Sequence, residues 1–314
     1  MQSLVADLDH ALRADDTEQV YAATGAYYRG ALDAPLDRRE LLLSALESVL
    51  RGHPPERLGP IAILAGALVE SGASPAAFPP AVFDHLLALL RTVPDGDGEF
   101  ELPEGYYDLE RGAMACLSRS VELRRTLPQK GAILGAIRRY GERYGFLGKM
   151  LSVLDDEPLV VLHPATGRGF RLRIGGIADN FQLHLLLRGA LAGPHGFPGE
   201  PPSAAAIAAS TEGSFENGGE AVESDWQLAH WMGLREGGVI DDQDHDRSWI
   251  WNEGFPAEIS AFEGSRTVLV GPSRIQRGWR AGRIFSGMKG RVEVLGAMPE
   301  PEVRALLGRI LAAV

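Results

Sequence analysis

The chain of 314 residues contains one cysteine, Cys116. An intrachain disulfide needs two and a cysteine-based zinc cluster needs more, so both are excluded and a reducing, cytoplasmic setting is expected. Lysine is almost missing: Lys130, Lys149 and Lys289 stand among 31 basic residues. Asparagine is as rare, at Asn180, Asn217 and Asn252. The codons of both are AT-rich, so the bias points to a GC-rich, bacterial genome. The longest apolar run near a helix, Ile61 to Val69, falls far short of the roughly 20 residues of a membrane span. The first residues, MQSLVADLDHALRADD, lack the basic and apolar regions of a signal peptide. No membrane association is expected.

Reaction motifs are missing too. Gly271-Pro272-Ser273 is followed by Ile275 where a nucleophile elbow needs its second glycine. There is no His-Glu-x-x-His and no Walker sequence, and Gly167-Arg168-Gly169 leads into a strand rather than a helix. No cofactor is indicated, and whether the chain is an enzyme is left open.

What is present is ordinary globular material, 45% hydrophobic and 23% charged, enough for a substantial core. The length suits two domains. A net charge of −11 opposes non-specific nucleic-acid binding, which needs a basic field.

Helical spacing dominates the first half: 3–14, 17–32, 35–52, 56–71, 79–93, 106–126, 128–144 and 146–154. Pro94 to Gly105 is a turn-rich loop. No clean repeat period appears. After that the period changes. Leu159 to Leu162 is a continuous apolar strand, and Phe170, Leu172 and Ile174 alternate with Arg171 and Arg173. Asp179 with Gln182 three residues on predicts a capped helix to about Gly193. Further strands are expected at 225–231, 248–252, 258–262, 266–270 and 291–296, with a closing helix at 299–311. The fold class is α+β: an irregular helical bundle or array over 1–155, then a mixed α+β domain over 156–314.

Three constellations could carry function. Asn180, His184 and Arg188 form one stripe along a helix, near His163 at a strand end. The stripe is either the solvated side of that helix or, with His163, an acid–base or metal-binding site. Asp242, Asp244, Asp246 and Glu253 mimic a calcium-loop frame, but Arg247 replaces its turn glycine. In the same stretch Trp251, Asn252 and Glu253 suit a pocket wall, or simply a turn before Gly254.

The third is Arg274 to Arg291, which carries +6 with no acidic residue and leaves −17 on the rest of the chain. Arg274, Arg277 and Arg280, with Trp279 between them, read as a loop after strand 266–270. They either hold a phosphate or carboxylate or pair with the acidic body. The expectation is an anionic small molecule or peptide bound by Arg274, Arg277, Arg280, Asn180, Asn252, Trp251 and Trp279. His163, His184 and Glu253 would move protons if there is chemistry. The alternative is a non-catalytic module whose helical half docks a protein partner.

Overall fold

The computed structural model describes residues 2–14, 16–94, 102–139, 145–193, 195–212, 219–241 and 245–314. The chain divides into two compact units, Met1–Leu151 and Ser152–Val314. The class is α+β, with helices first and a mixed sheet second.

The first unit contains α1 (Gln2–Ala14), α2 (Thr17–Leu32), α3 (Leu36–Gly52), α4 (Gly59–Glu70), α5 (Ala81–Thr92), α6 (Tyr106–Leu117), α7 (Val121–Thr126), α8 (Lys130–Arg139) and α9 (Gly145–Ser152), whose last residue opens the second unit. Asp16 caps α2 by accepting from the amides of Glu18 and Gln19. The helix expected over 106–126 is two helices. Ser120 caps the second through its hydroxyl, which accepts from Leu123 N at 3.1 Å. The buried Arg124 donates to the carbonyls of Leu117 and Ser118, which end the first. An arginine that satisfies orphan carbonyls makes the break stable. Residues 140–144, expected to continue α8, lie outside the described residues. Helices α4 and α6 touch backbone to backbone: a methyl on Gly112 would sit 2.2 Å from Ala62 O.

The second unit contains β1 (Asp155–His163), β2 (Arg168–Gly175), α10 (Asn180–Leu191), α11 (Ala204–Thr211), β3 (Ala221–His230), β4 (Leu234–Arg235), β5 (Val239–Ile240), α12 (His245–Ser248), β6 (Ala261–Phe262), β7 (Ser265–Arg280), β8 (Arg291–Ala297) and α13 (Glu300–Ala313). The main sheet has the order β3-β7-β1-β2-β8, with β6 on β7; β1 and β7 run parallel and the other pairs antiparallel.

The continuous apolar run in β1 is explained by burial on both faces. Leu159 and Val161 join the cluster under α10, while Val160 and Leu162 join the one under α13. On β2, Phe170, Leu172 and Ile174 face α10's cluster. Arg171 instead pairs with Glu302 on α13. Asp179 caps α10, its Oδ1 accepting from Gln182 N at 2.7 Å. Gln182 answers by accepting from Ala178 N at 2.9 Å.

Three expectations need correction. Of 258–262 only Ala261–Phe262 is strand, because Pro256–Glu258 forms a 3-10 turn in which Phe255 N donates to the Glu258 carboxylate. Residues 248–252 are not a strand. Trp249 makes one bridge to Ala229, Ile250 N donates to Leu228 O at 3.1 Å, and the chain then turns. It turns because the next carbonyls are taken by α10: Asn252 O accepts from Phe181 N at 3.0 Å and Gly254 O from Asn180 N at 2.9 Å. The arginine segment is not a loop after 266–270 either. β7 continues to Arg280, because Ala221 to Ser224 of β3 offer it partners. Among the described residues no helix is long and apolar enough to cross a membrane.

Candidate functional site

The register between β3 and β7 breaks between Ser224 and Trp226. Ser224 pairs with Arg277 and Trp226 with Pro272, so Asp225 alone faces Ser273 to Gln276. Such a bulge bends the strand and re-aims side chains. Cross-strand partners share a face of the sheet. Ser224 and Arg277 therefore both lie on the side covered by α10.

His184 of α10 meets them there. Its Nε2 lies 3.0 Å from Ser224 Oγ, which also accepts from Trp226 N at 3.1 Å. The imidazole sits between two indoles, 5.1 Å from Trp279 and 6.4 Å from Trp226 between ring centres. Phe181 also packs against Trp279, with ring centres 5.6 Å apart. Asn180 is one turn before His184, and its Nδ2 donates to Trp251 O at 2.8 Å. Asn252 adjoins the imidazole and favours its charged form.

The stripe Asn180–His184 is thus not solvated. Asn180 is 2% and His184 1% exposed. The spacing of the helix places both on one face, but it cannot say which face meets the sheet. Arg188, one turn further on, reaches the edge strand and donates to Glu223 O.

Burial pushes His184 down to about 4. Arg277 and Arg188 push the same way, against Asn252 and Asp225. The ring is neutral at neutral pH, which makes it a weak proton acceptor there. An unfolded histidine takes up its proton near 6.5. Stability from this group is therefore full above about pH 6.5, falls as pH drops, and levels off below about 4, a loss of roughly 3 kcal/mol. The expected result is a urea midpoint that falls more steeply on acidification in the wild type than in His184→Gln. Parallel pH profiles for the two proteins would remove the assignment.

Arg277 is the other unusual group. Its guanidinium carbon lies 4.4 Å over the ring of Trp249. Desolvation holds its pKa below the ordinary arginine value, and Glu253 pulls the other way. It makes no hydrogen bond and no ion pair among the described residues. Its neighbours in sequence differ. Lys289 pairs with Glu212 at 3.2 Å and Arg291 with Asp156 at 3.0 Å. Arg283 donates to the carbonyls of Met288 and Glu212, and Arg280 to Gly219 O. Pairing within the domain accounts for these four.

The structure therefore gathers His184, Asn180, Asn252, Arg277 and Trp279 into one cluster, with Glu253 acting on its edge. His163 is apart. Its ring packs at a tilt against Phe197, which lies against Trp226, and its Nδ1 is 2.7 Å from Thr166 Oγ1. Two aromatic rings separate the histidines, so they form no common acid–base or metal site. Arg274 and Arg280 are exposed, and Trp251 is 51% exposed. Of the aspartate frame, 242–244 lie outside the described residues. Among the described residues no three His, Cys, Asp or Glu side chains converge as metal ligands.

Three residues of the cluster escape a reading of the sequence: Ser224, Trp226 and Trp249. The alternation in Ala221–Gln227 carries a signal for the first two; Trp249 depends on tertiary contact. Beside the bulge an open cleft of about 500 Å³ is lined by Glu200, Glu223 and Asp225 with Arg188, Ser273 and Gln276. Its acidic rim repels anions. Comparison with protein-family models, curated proteins and solved structures gives no match to this chain.

Proposed function

We propose that the C-terminal unit binds a small ligand bearing a carboxylate or phosphate, and that Arg277 holds that group. The observation that supports this is a half-buried guanidinium, laid on Trp249, with its donors unspent. A guanidinium partly removed from water, with only the Coulombic pull of Glu253 to offset that loss, is stabilised further by an oxyanion through bidentate bonds. A flat ring beneath the guanidinium keeps the fork oriented at little entropic cost. Binding rather than proton transfer is favoured, since His184 is enclosed and neutral.

A thermal-shift screen with phosphate, citrate, glutamate and nucleoside monophosphates tests the reading. At about a hundred times Kd a ligand stabilises by about 2.7 kcal/mol, which raises the melting point by about 5–10 °C. Arg277→Met should lose that shift. A screen in which no anion stabilises the protein would favour the alternative, in which the helical unit docks a protein partner. Exposed Tyr21 and Tyr107, at 62% and 61%, would be the first contacts to examine for it.

A further inference from the structure

We infer an acyl-transfer site at the bulge: Ser224 is a nucleophile, His184 is its base, Asn252 orients the base, and the substrate is a carboxylic ester bearing a cationic group. This goes beyond the anion-binding reading and does not depend on it, since Arg277 takes no part in the step.

The hydrogen bonds fix where the protons are. Asn252 Oδ1 and His184 Nδ1 have no other partner among the described residues and face each other across a side-chain hydrogen bond. The amide oxygen only accepts, so Nδ1 carries the proton of the neutral ring and Nε2 keeps its lone pair. Ser224 Oγ lies 3.0 Å from that nitrogen. The hydroxyl accepts from Trp226 N at 3.1 Å, which leaves its own hydrogen to point at Nε2. A hydroxyl that donates to an imidazole, which donates in turn to a fixed third group, is the arrangement that activates a serine. The enclosed ring exchanges no proton with a ligand on Arg277, but it is already in contact with Ser224.

Ser224 also reaches a cavity. It is one of the residues lining the open cleft of about 500 Å³ beside the bulge. Glu200, Glu223 and Asp225 on the rim of that cleft are exposed and favour a cationic substrate. Arg188 lines it too, one turn beyond His184 on α10. Its Nη1 donates to Glu223 O, while its Nε has no partner among the described residues and is left to meet a developing oxyanion.

In the step, Ser224 Oγ adds to the ester carbon as its proton passes to His184 Nε2. The carbonyl oxygen takes the negative charge. The bond to the alcohol then breaks, the alcohol leaves with the proton from Nε2, and the acyl group stays on Ser224. Water, deprotonated by the same nitrogen, releases the acid and restores the hydroxyl. A base as weak as His184 makes turnover slow, so a reactive probe is the first test.

The full chain is treated with an alkyl fluorophosphonate and the modified residue is located by peptide mass spectrometry. One adduct is expected, on Ser224, and none in Ser224→Ala. His184→Gln should slow labelling about 100-fold or more. Asn252→Asp keeps an acceptor for Nδ1–H and favours the imidazolium, so its labelling should begin to fall at a higher pH than in the wild type, a shift that lost packing does not produce. A p-nitrophenyl ester with a trimethylammonium on its acyl chain should be cleaved faster than p-nitrophenyl acetate, and the succinate half-ester slowest. No adduct on Ser224 of the folded wild type overturns the inference and leaves the three residues as hydrogen bonding within the core, with the Arg277 reading untouched. A half-ester cleaved fastest overturns the cationic class. Should Ser224→Ala fail to fold, the position of the wild-type adduct decides alone.

Discussion

Trp226→Ala should destabilise the C-terminal unit by about 3–5 kcal/mol, the range for a buried aromatic truncated to a methyl. The indole is 2% exposed and lies between the rings of His184 and Phe197. Its Nε1 donates to Pro198 O at 2.9 Å, so truncation also leaves a carbonyl unpaired. The loop cannot close over the gap easily. Gly199, at φ 82°, is the residue placed against the indole edge, and it holds a conformation that side chains avoid. Trp226→Phe should recover part of the loss, because it restores ring contact but not the hydrogen bond. All five tryptophans belong to this unit. Tryptophan emission in urea therefore reads its unfolding directly, and a loss under about 1 kcal/mol would remove Trp226 from the centre of the core.

The second large effect is expected at Gly112. A Cβ there would meet Ala62 O at 2.2 Å, and the Cβ position of Gly66 is 3.0 Å from Gly112 Cα. No rotamer relieves a clash with backbone, so Gly112→Ala must push α4 and α6 apart. Overpacking of this kind costs about 3 kcal/mol. Alanine's better helix propensity offsets only ~1 kcal/mol of that. Far-UV circular dichroism during heating should show the helical signal lost at lower temperature. An unchanged or higher midpoint would mean the two helices do not touch at this glycine.

Much of the fold can be read from residue order alone, for local reasons. Asp16 and Asp179 mark helix starts because a short carboxylate reaches the amides two or three residues on. Leu159 to Leu162 reads as an inner strand because both of its faces are apolar. What cannot be read depends on partners distant in sequence. The length of β7 is set by β3, earlier in the chain, and not by its own glycines. The pair Ser118 and Ser120 hides a helix break that Arg124 makes favourable.

The site follows the same division. Asn180, His184, Asn252, Arg277 and Trp279 stand out by residue type and spacing. Their convergence depends on one bulge and on which side of α10 meets the sheet. His163 looks equivalent to His184 in the sequence, and only the rings of Phe197 and Trp226 show that it is not. Arg277 cannot be told from Arg274 or Arg280 by sequence, since the difference between them is a tryptophan lying underneath.

Calorimetric titration of the wild type and Arg277→Met with the most stabilising anion of the screen tests the central claim most directly. The account predicts saturable binding by the wild type, weakened by added salt, and no measurable binding by the variant at the same ligand concentrations. Equal affinity in the two proteins would contradict it, because the anion would then be held by another group.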